Sequence, residues 1–171
     1  MRTMISASAL FAMALWGGTM LITGTRAQEP NVETRPSTRG ALTESALGQM
    51  LEDMGYEPKK LKQGYLVAIK QDAWTYYVQL VLSPNREKIG LKATMGIVDD
   101  PTSIPAGQWL NLLSGNTDIA PSFFYFNKTN NTLYMHRIID NRVVTPALIR
   151  QQVDAFCANI KDTSELWKFT K

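Results

Sequence analysis

The chain has 171 residues, a length typical of a single domain. It contains one cysteine, Cys157, and one histidine, His136, which excludes an intramolecular disulfide and a zinc site built from cysteines and histidines alone. The 18 basic and 15 acidic residues give a formal net charge of +3, without the clustered basic face that nucleic-acid binding normally needs.

The N-terminal segment has the three parts of a secretory signal peptide. Arg2 precedes an apolar stretch at residues 4–22, and the small residues Thr25 and Ala27 stand before a polar segment. These features predict a signal peptide at residues 1–27, cleavage after Ala27, and a periplasmic or secreted mature protein. The alternative is an uncleaved membrane anchor, because the apolar stretch approaches the roughly 20 residues that span a bilayer.

Residues 28–41 contain prolines and charges but no periodic apolar pattern, which predicts a flexible tether ahead of one domain at residues 42–169. Cleavage would also remove Arg2 and Arg26, which leaves 16 basic against 15 acidic residues and a net charge of +1. Because the mature chain is nearly neutral, no nucleic-acid partner is expected.

The residue pattern in the first half of the domain predicts a helix followed by three strands. Residues 43–54 place apolar side chains at steps of three and four, with Thr43 as the N-cap, as in an amphipathic helix. Residues 64–70, 74–82 and 88–98 alternate as strands with one buried face do, and their short connections predict an antiparallel meander. In the third strand, every second side chain is expected to face the core, namely those of Ile89, Leu91, Ala93, Met95 and Ile97.

The second half predicts a helix at residues 105–113, two strands at 122–127 and 132–139, and a last helix. Thr145 as N-cap and Pro146 at the first helical position mark the start of that helix. The order α-β-β-β-α-β-β-α predicts an α+β fold, with an antiparallel β-sheet packed by helices in two layers.

Four short motifs stand out in the second half of the chain. They are residues 121–126 (PSFFYF), 133–135 (LYM), 140–146 (DNRVVTP) and 166–167 (LW). This pattern resembles the YbjN-like family, which has the fold of the type III secretion chaperones, mainly over residues 104–167. The resemblance implies a secretion-chaperone-like fold and a bacterial, non-enzymatic binding or regulatory protein. Those chaperones work in the cytoplasm, so the predicted export signal argues against transferring their cellular role.

The residues that could carry chemistry lack partners at suitable spacing in the sequence. His136 has no adjacent nucleophile or carboxylate, and Cys157 falls beside the apolar stripe of the last helix, where a buried packing residue is expected. Asp99 and Asp100 are adjacent and do not supply the spaced oxygen ligands of a calcium loop. No catalytic residue, metal or cofactor is predicted.

Aromatic side chains are the most informative feature for function. They occupy both parities of two predicted strands, so some must lie on the sheet face away from the helices, where an exposed patch favours protein binding. The residues predicted for this aromatic sheet face are Trp74, Tyr76, Tyr77, Phe124, Phe126 and Tyr134. Coverage by the domain's own helices or by a second copy in a homodimer is the alternative.

These observations predict an exported, non-enzymatic protein- or peptide-binding module, chaperone-like or regulatory, for a partner that the sequence does not identify. One alternative is an envelope protein with a structural or small-ligand-binding role, which requires a closed apolar pocket between helices and sheet. The other is a hydrolase with dispersed carboxylates such as Glu44, Asp99 or Asp118, which requires a deep polar cleft.

Overall fold

A six-stranded antiparallel sheet organises residues 41–170, the part of the chain that the computed structural model describes. Its strands are β1 (Lys59–Lys60), β2 (Tyr65–Gln71), β3 (Trp74–Leu82), β4 (Lys88–Ile97), β5 (Ser122–Asn127) and β6 (Thr132–Asp140), in the spatial order β1-β2-β3-β4-β6-β5. The helices of this part are α1 (Glu44–Asp53), α2 (Ala106–Gly115), α3 (Pro146–Asp162) and α4 (Ser164–Trp167), with a 3₁₀ turn at Asn141–Val143. The predicted signal peptide and all but the last residue of the predicted tether lie outside the described residues.

The predicted α+β class, with its antiparallel sheet and helices, is confirmed. The structure adds three short elements to the predicted order: β1, the 3₁₀ turn and α4. Each has two to four residues, too few for a periodic apolar pattern to form. The longer elements follow their predicted bounds within two residues, because their periodicity is local.

Two threonine caps set the starts of α1 and α3, as predicted. Thr43 Oγ1 accepts a hydrogen bond from the backbone N–H of Ala46 at 3.2 Å, and Thr145 Oγ1 accepts one from Leu148 at 3.1 Å. Pro146 occupies the first position of α3, where a missing N–H costs nothing. None of the helices at residues 41–170 has the length and hydropathy that a membrane crossing requires.

The hydrophobic core lies between one face of the sheet and the helices. Side chains that are fully buried there include Leu47 and Leu51 of α1, Val78 and Leu80 of β3, Leu91 of β4, Met135 of β6, and Ile149, Val153 and Phe156 of α3. Cys157 is buried in the same cluster, as predicted, and this burial raises the pKa of its thiol to about 12. The sheet face that contributes these residues is called the core face below.

Strand β4 departs from the predicted alternation near its end. Ile89, Leu91 and Ala93 are buried as expected, but a bulge between Thr94 and Gly96 shifts the register against β6. Beyond the bulge the parity is reversed, so that Ile97 is 51% exposed while Val98 is 2% exposed. The prediction that Ile97 faces the core was wrong, because one extra residue in a strand inverts the facing of every residue after it.

Candidate functional site

The sheet face opposite the core is left to solvent by the helices of the described residues. Helices α1 and α3 contribute to the core cluster, Trp109 of α2 packs on the core-face residue Phe126, and Trp167 of α4 packs on Trp74. The face turned away from them is called the open face below. The residues on it include Tyr77, Val81, Gly90, Lys92, Phe123, Tyr125, Tyr134, His136 and Ile138.

The six aromatic residues predicted as one binding face lie on two faces. Those that share the core-face parity are Trp74, Tyr76, Phe124 and Phe126. Tyr76 and Phe124 are buried, and Trp74 stacks on Tyr76 with ring centroids 5.9 Å apart. Only Tyr77 and Tyr134 lie on the open face. The expectation of one surface is corrected here, because successive side chains of a strand point to opposite sides of the sheet.

Four rings from β5 and β6 form an aromatic cluster on the open face, made of Phe123, Tyr125, Tyr134 and His136. Tyr125 and Tyr134 face each other in the ladder and stack with centroids 5.2 Å apart and planes 19° from parallel. Phe123 meets His136 edge-on at 5.4 Å. All four side chains are partly exposed. Phe123 and Tyr125 are absent from the predicted site, although strand alternation places both on the face opposite to their neighbour Phe124.

His136 is the one basic side chain in the aromatic cluster. Burial, and secondarily the nearby ammonium of Lys92, lower the pKa of His136 below its ordinary value, so the imidazole is neutral at pH 7. Burial also raises the pKa of the Tyr125 hydroxyl. Lys92 Nζ lies 5.2 Å from the centroid of the Tyr134 ring, a cation–π distance. This surface is suited to apolar and aromatic contact.

A groove of about 840 Å³ runs across the open face beside the aromatic cluster. Val81, Gly90 and Ile138 stand in one row across three strands, with Gly90 in the middle. Because Gly90 has no side chain, the ring of His136 can lie across this position, and Gly90 is buried. A Cβ atom added at Gly90 would lie 2.6 Å from His136 Nε2. The floor of the groove is therefore apolar and continuous with the aromatic cluster through His136.

The rim of the groove carries an excess of positive charge. Its charged residues are Lys62, Arg86, Lys88 and Glu44. Glu44 pairs with Lys60 at 2.6 Å, and Lys88 pairs with Asp140 at 3.1 Å. Within residues 41–170, no carboxylate forms an ion pair with Lys62 or Arg86. Two cations at the rim are thus available to a ligand.

A second cavity, of about 360 Å³, opens where β3 and β4 separate. The two strands pair over only four residue positions near the turn that joins them. Beyond these positions Trp74, Tyr76 and Tyr77 line the cavity together with Trp167. Tyr77 is 62% exposed. Three of the predicted site residues therefore meet here, at a place distinct from the aromatic cluster that contains Tyr134.

The carboxylates considered for a hydrolase come from three different segments of the chain. Glu44 lies in the first turn of α1, Asp99 follows β4 and Asp118 follows α2, and the two aspartates are exposed. Hydrogen bonds from Lys60 and from the backbone of Gly64 lower the pKa of Glu44, the opposite of what a general acid requires. Among the described residues, no group of three or more His, Cys, Asp and Glu side chains is placed to hold a metal ion.

Both outer edges of the sheet are protected against strand addition. Edge strand β1 consists of two lysines, and charged, short edges resist pairing with another strand. At the other edge, the backbone N–H of Phe124 donates to Asn116 Oδ1 at 2.6 Å, and Asn116 Nδ2 donates to the carbonyl oxygen of Phe124 at 3.4 Å. The side chain of Asn116 therefore occupies the middle of the β5 edge, where a partner strand would bind.

Comparisons with solved structures identify the fold. The chain is 12% identical to one in the HopA1–SchA chaperone–effector complex, covering 70% of this chain and 90% of that one with a TM-score of 0.51. YbjN from E. coli matches at 15% identity, with 74% and 96% covered and a TM-score of 0.51. The heterodimeric ExoU–SpcU complex from the type III secretion system of Pseudomonas aeruginosa matches at 17% identity, with 71% and 98% covered and a TM-score of 0.51. No family model and no curated protein sequence matches the chain. The predicted YbjN-like, secretion-chaperone-like fold is confirmed.

Proposed function

We propose that this chain is an exported, non-enzymatic module that binds a protein or peptide on its open face in the manner of a chaperone. The observation that carries the proposal is the aromatic cluster, four partly exposed rings on a sheet face that the described helices leave uncovered. Large aromatic side chains are enriched in protein interfaces and supply much of their binding energy. Two of the structures with this fold, HopA1–SchA and ExoU–SpcU, are complexes of two proteins, which supports the same kind of role here.

Binding through the face is favoured over binding through a sheet edge. The edge at β5 is capped by Asn116, and the edge at β1 is short and basic. The open face offers stacked rings at Tyr125 and Tyr134, and beside them the apolar row that includes Ile138, which is 47% exposed. A partner segment laid across this face would bury aromatic and aliphatic surface that is now in water.

The export part of the proposal depends on residues 1–27. Their sequence combines a basic start, an apolar stretch and small residues before Gln28, the organisation of a removable signal. The mature protein would then act in the periplasm or outside the cell. A cytoplasmic secretion-chaperone role is accordingly not part of the proposal, and the partner is expected among exported proteins.

A photo-crosslinking experiment tests the proposed face. A photoreactive phenylalanine analogue at position 125 should crosslink the protein to a partner in periplasmic or secreted extract. The same analogue at position 110, an exposed leucine of α2, serves as the matched control.

The identified partner should then bind the Tyr125→Ala/Tyr134→Ala variant more than about tenfold more weakly, as expected for loss of interface hot spots, while Leu110→Ala keeps native affinity. Native affinity in the tyrosine variant would contradict the proposal. Crosslinks from position 125 only to a second copy of the chain would instead assign the cluster to a homodimer.

A further inference from the structure

We propose that the segment bound on the open face is acidic: an extended peptide whose carboxylate side chains meet the basic rim of the groove. This inference rests on the proposed function, because the groove and the aromatic cluster share one face and one residue, His136. It specifies the charge of the bound segment, which the rings of the aromatic cluster do not determine.

The floor of the groove presents one apolar strip to a bound chain. Gly90 lies between Val81 and Ile138, and its missing side chain leaves room for the ring of His136, whose Nε2 lies 2.6 Å from where a Cβ atom would be. The apolar side chains of a bound peptide can therefore pack on Val81, Ile138 and the ring of His136, while Gly90 itself stays buried beneath that ring. His136 continues this surface towards Phe123 and Tyr125.

The charge at the rim selects for carboxylates. Three basic side chains and one carboxylate line the groove, and that carboxylate, Glu44, is already paired with Lys60. Lys62 and Arg86 form no ion pair with any described carboxylate. An acidic peptide satisfies both, whereas a basic peptide adds like charges beside them. Exposed pairs contribute little affinity, so charge is expected to govern selectivity between peptides more than binding strength.

Two other occupants fit the groove less well. A second copy bound through the same groove would bring two rims of like charge together, because a twofold interface places the same surface on both sides. A nucleic acid would match the charge, but its phosphates would make no apolar contact with Val81 and Ile138 on the floor. An acidic peptide with alternating aliphatic residues matches both the floor and the rim.

Fluorescence anisotropy with two labelled probe peptides tests the inference. The protein is purified from cells that express the full chain. One peptide alternates glutamate with valine, and the other has lysine in place of each glutamate. The acidic peptide should bind at least tenfold more tightly at low ionic strength, with a smaller ratio at physiological salt because the charges are exposed. The charge reversal Lys62→Glu/Arg86→Glu should abolish or invert this preference.

A matched control has the same change of net charge away from the groove. Lys70→Glu/Lys128→Glu alters two exposed lysines outside the groove lining and should keep the native preference. Ile138→Ser, which removes an apolar side chain from the floor, should weaken binding of the acidic peptide while the preferred charge stays the same.

Equal binding of the two peptides, or the same preference after reversal at Lys62 and Arg86, would overturn the inference. Tighter binding of a single-stranded oligonucleotide than of the acidic peptide would overturn it as well. The proposed function fails separately: it is lost if the Tyr125→Ala/Tyr134→Ala variant binds the crosslinked partner with native affinity, or if position 125 crosslinks only to a second copy of the chain.

Discussion

Asn141 is a buried polar side chain that joins three distant segments of the chain. It is 1% exposed, and its Nδ2 donates to the carbonyl oxygens of Leu42 at 3.0 Å and Arg86 at 2.7 Å. Its Oδ1 accepts the N–H of Leu42 at 3.2 Å. These bonds tie the entry to α1 and the β3–β4 turn to the end of β6. Since Arg86 belongs to the groove rim, Asn141 also helps to position the candidate site.

Replacing Asn141 should destabilise the domain. Asn141→Ala removes three side-chain hydrogen bonds and leaves two carbonyl groups without their donor in a partly buried place. We expect the free energy of unfolding to fall by about 2–4 kcal/mol, measured by urea denaturation. Asn111→Ala, at an exposed position of α2, should change it by less than about 0.5 kcal/mol. A similar small change for both variants would contradict the structural role of Asn141.

Strand β5 is an uncharged edge strand whose sequence, SFFYFN, would favour pairing with other strands if its edge were free. In the structure, a residue from outside the sheet covers the free edge of β5. Asn116 follows α2 and presents a side-chain amide to Phe124 much as a neighbouring strand would present its backbone. One side chain therefore both anchors the end of α2 and protects the sheet.

Loss of this side chain should expose the edge. For Asn116→Ala we expect the free energy of unfolding to fall by about 1–2 kcal/mol, through loss of two hydrogen bonds to a partly buried strand. Self-association should also rise with protein concentration, which light scattering detects. Asn111→Ala changes an exposed asparagine within α2, the helix that Asn116 caps, and should change neither property. If Asn116→Ala stays as dispersed as the native protein, the edge is protected by something else.

At the scale of the whole domain, local patterns predicted the long elements and the fold class. Runs rich in aromatic and β-branched residues predicted β2 to β6, with the clearest alternation in β4, and threonine caps predicted the starts of α1 and α3. The bulge in β4 was not predictable, because one inserted residue changes the facing of Ile97 without changing composition. Elements of two to four residues carry too little pattern to be seen.

The candidate site was predictable only in part. Strands β3 and β5 carry large apolar residues on both parities, so the sequence alone did not determine which rings the helices cover. Tyr77 and Tyr134 lie on the open face, while Tyr76 and Phe124 are buried. The groove was missed altogether, because its residues come from separate turns and strands that only the tertiary fold brings together.

The export proposal concerns the whole chain and makes a direct prediction. Expressed in full in a bacterial host, the protein should be recovered from the periplasm or medium with Gln28 as its first residue, as intact-mass analysis can show. Ala27→Arg should block cleavage, because the position before the cut requires a small residue, and the precursor should accumulate in the membrane fraction. A native protein that keeps its first 27 residues in the membrane would indicate the anchor instead.

The burial of Cys157 has a consequence for handling the molecule. The chain has a single thiol, that thiol is fully buried, and its pKa of about 12 leaves almost no thiolate at neutral pH. The folding of the domain should therefore not depend on the redox state of its surroundings. No disulfide has to form within the chain, and the buried thiol should not react with oxidants in the native state. An alkylating reagent should reach this cysteine only when α3 separates from the sheet. The rate of Cys157 alkylation therefore measures how often that local opening occurs.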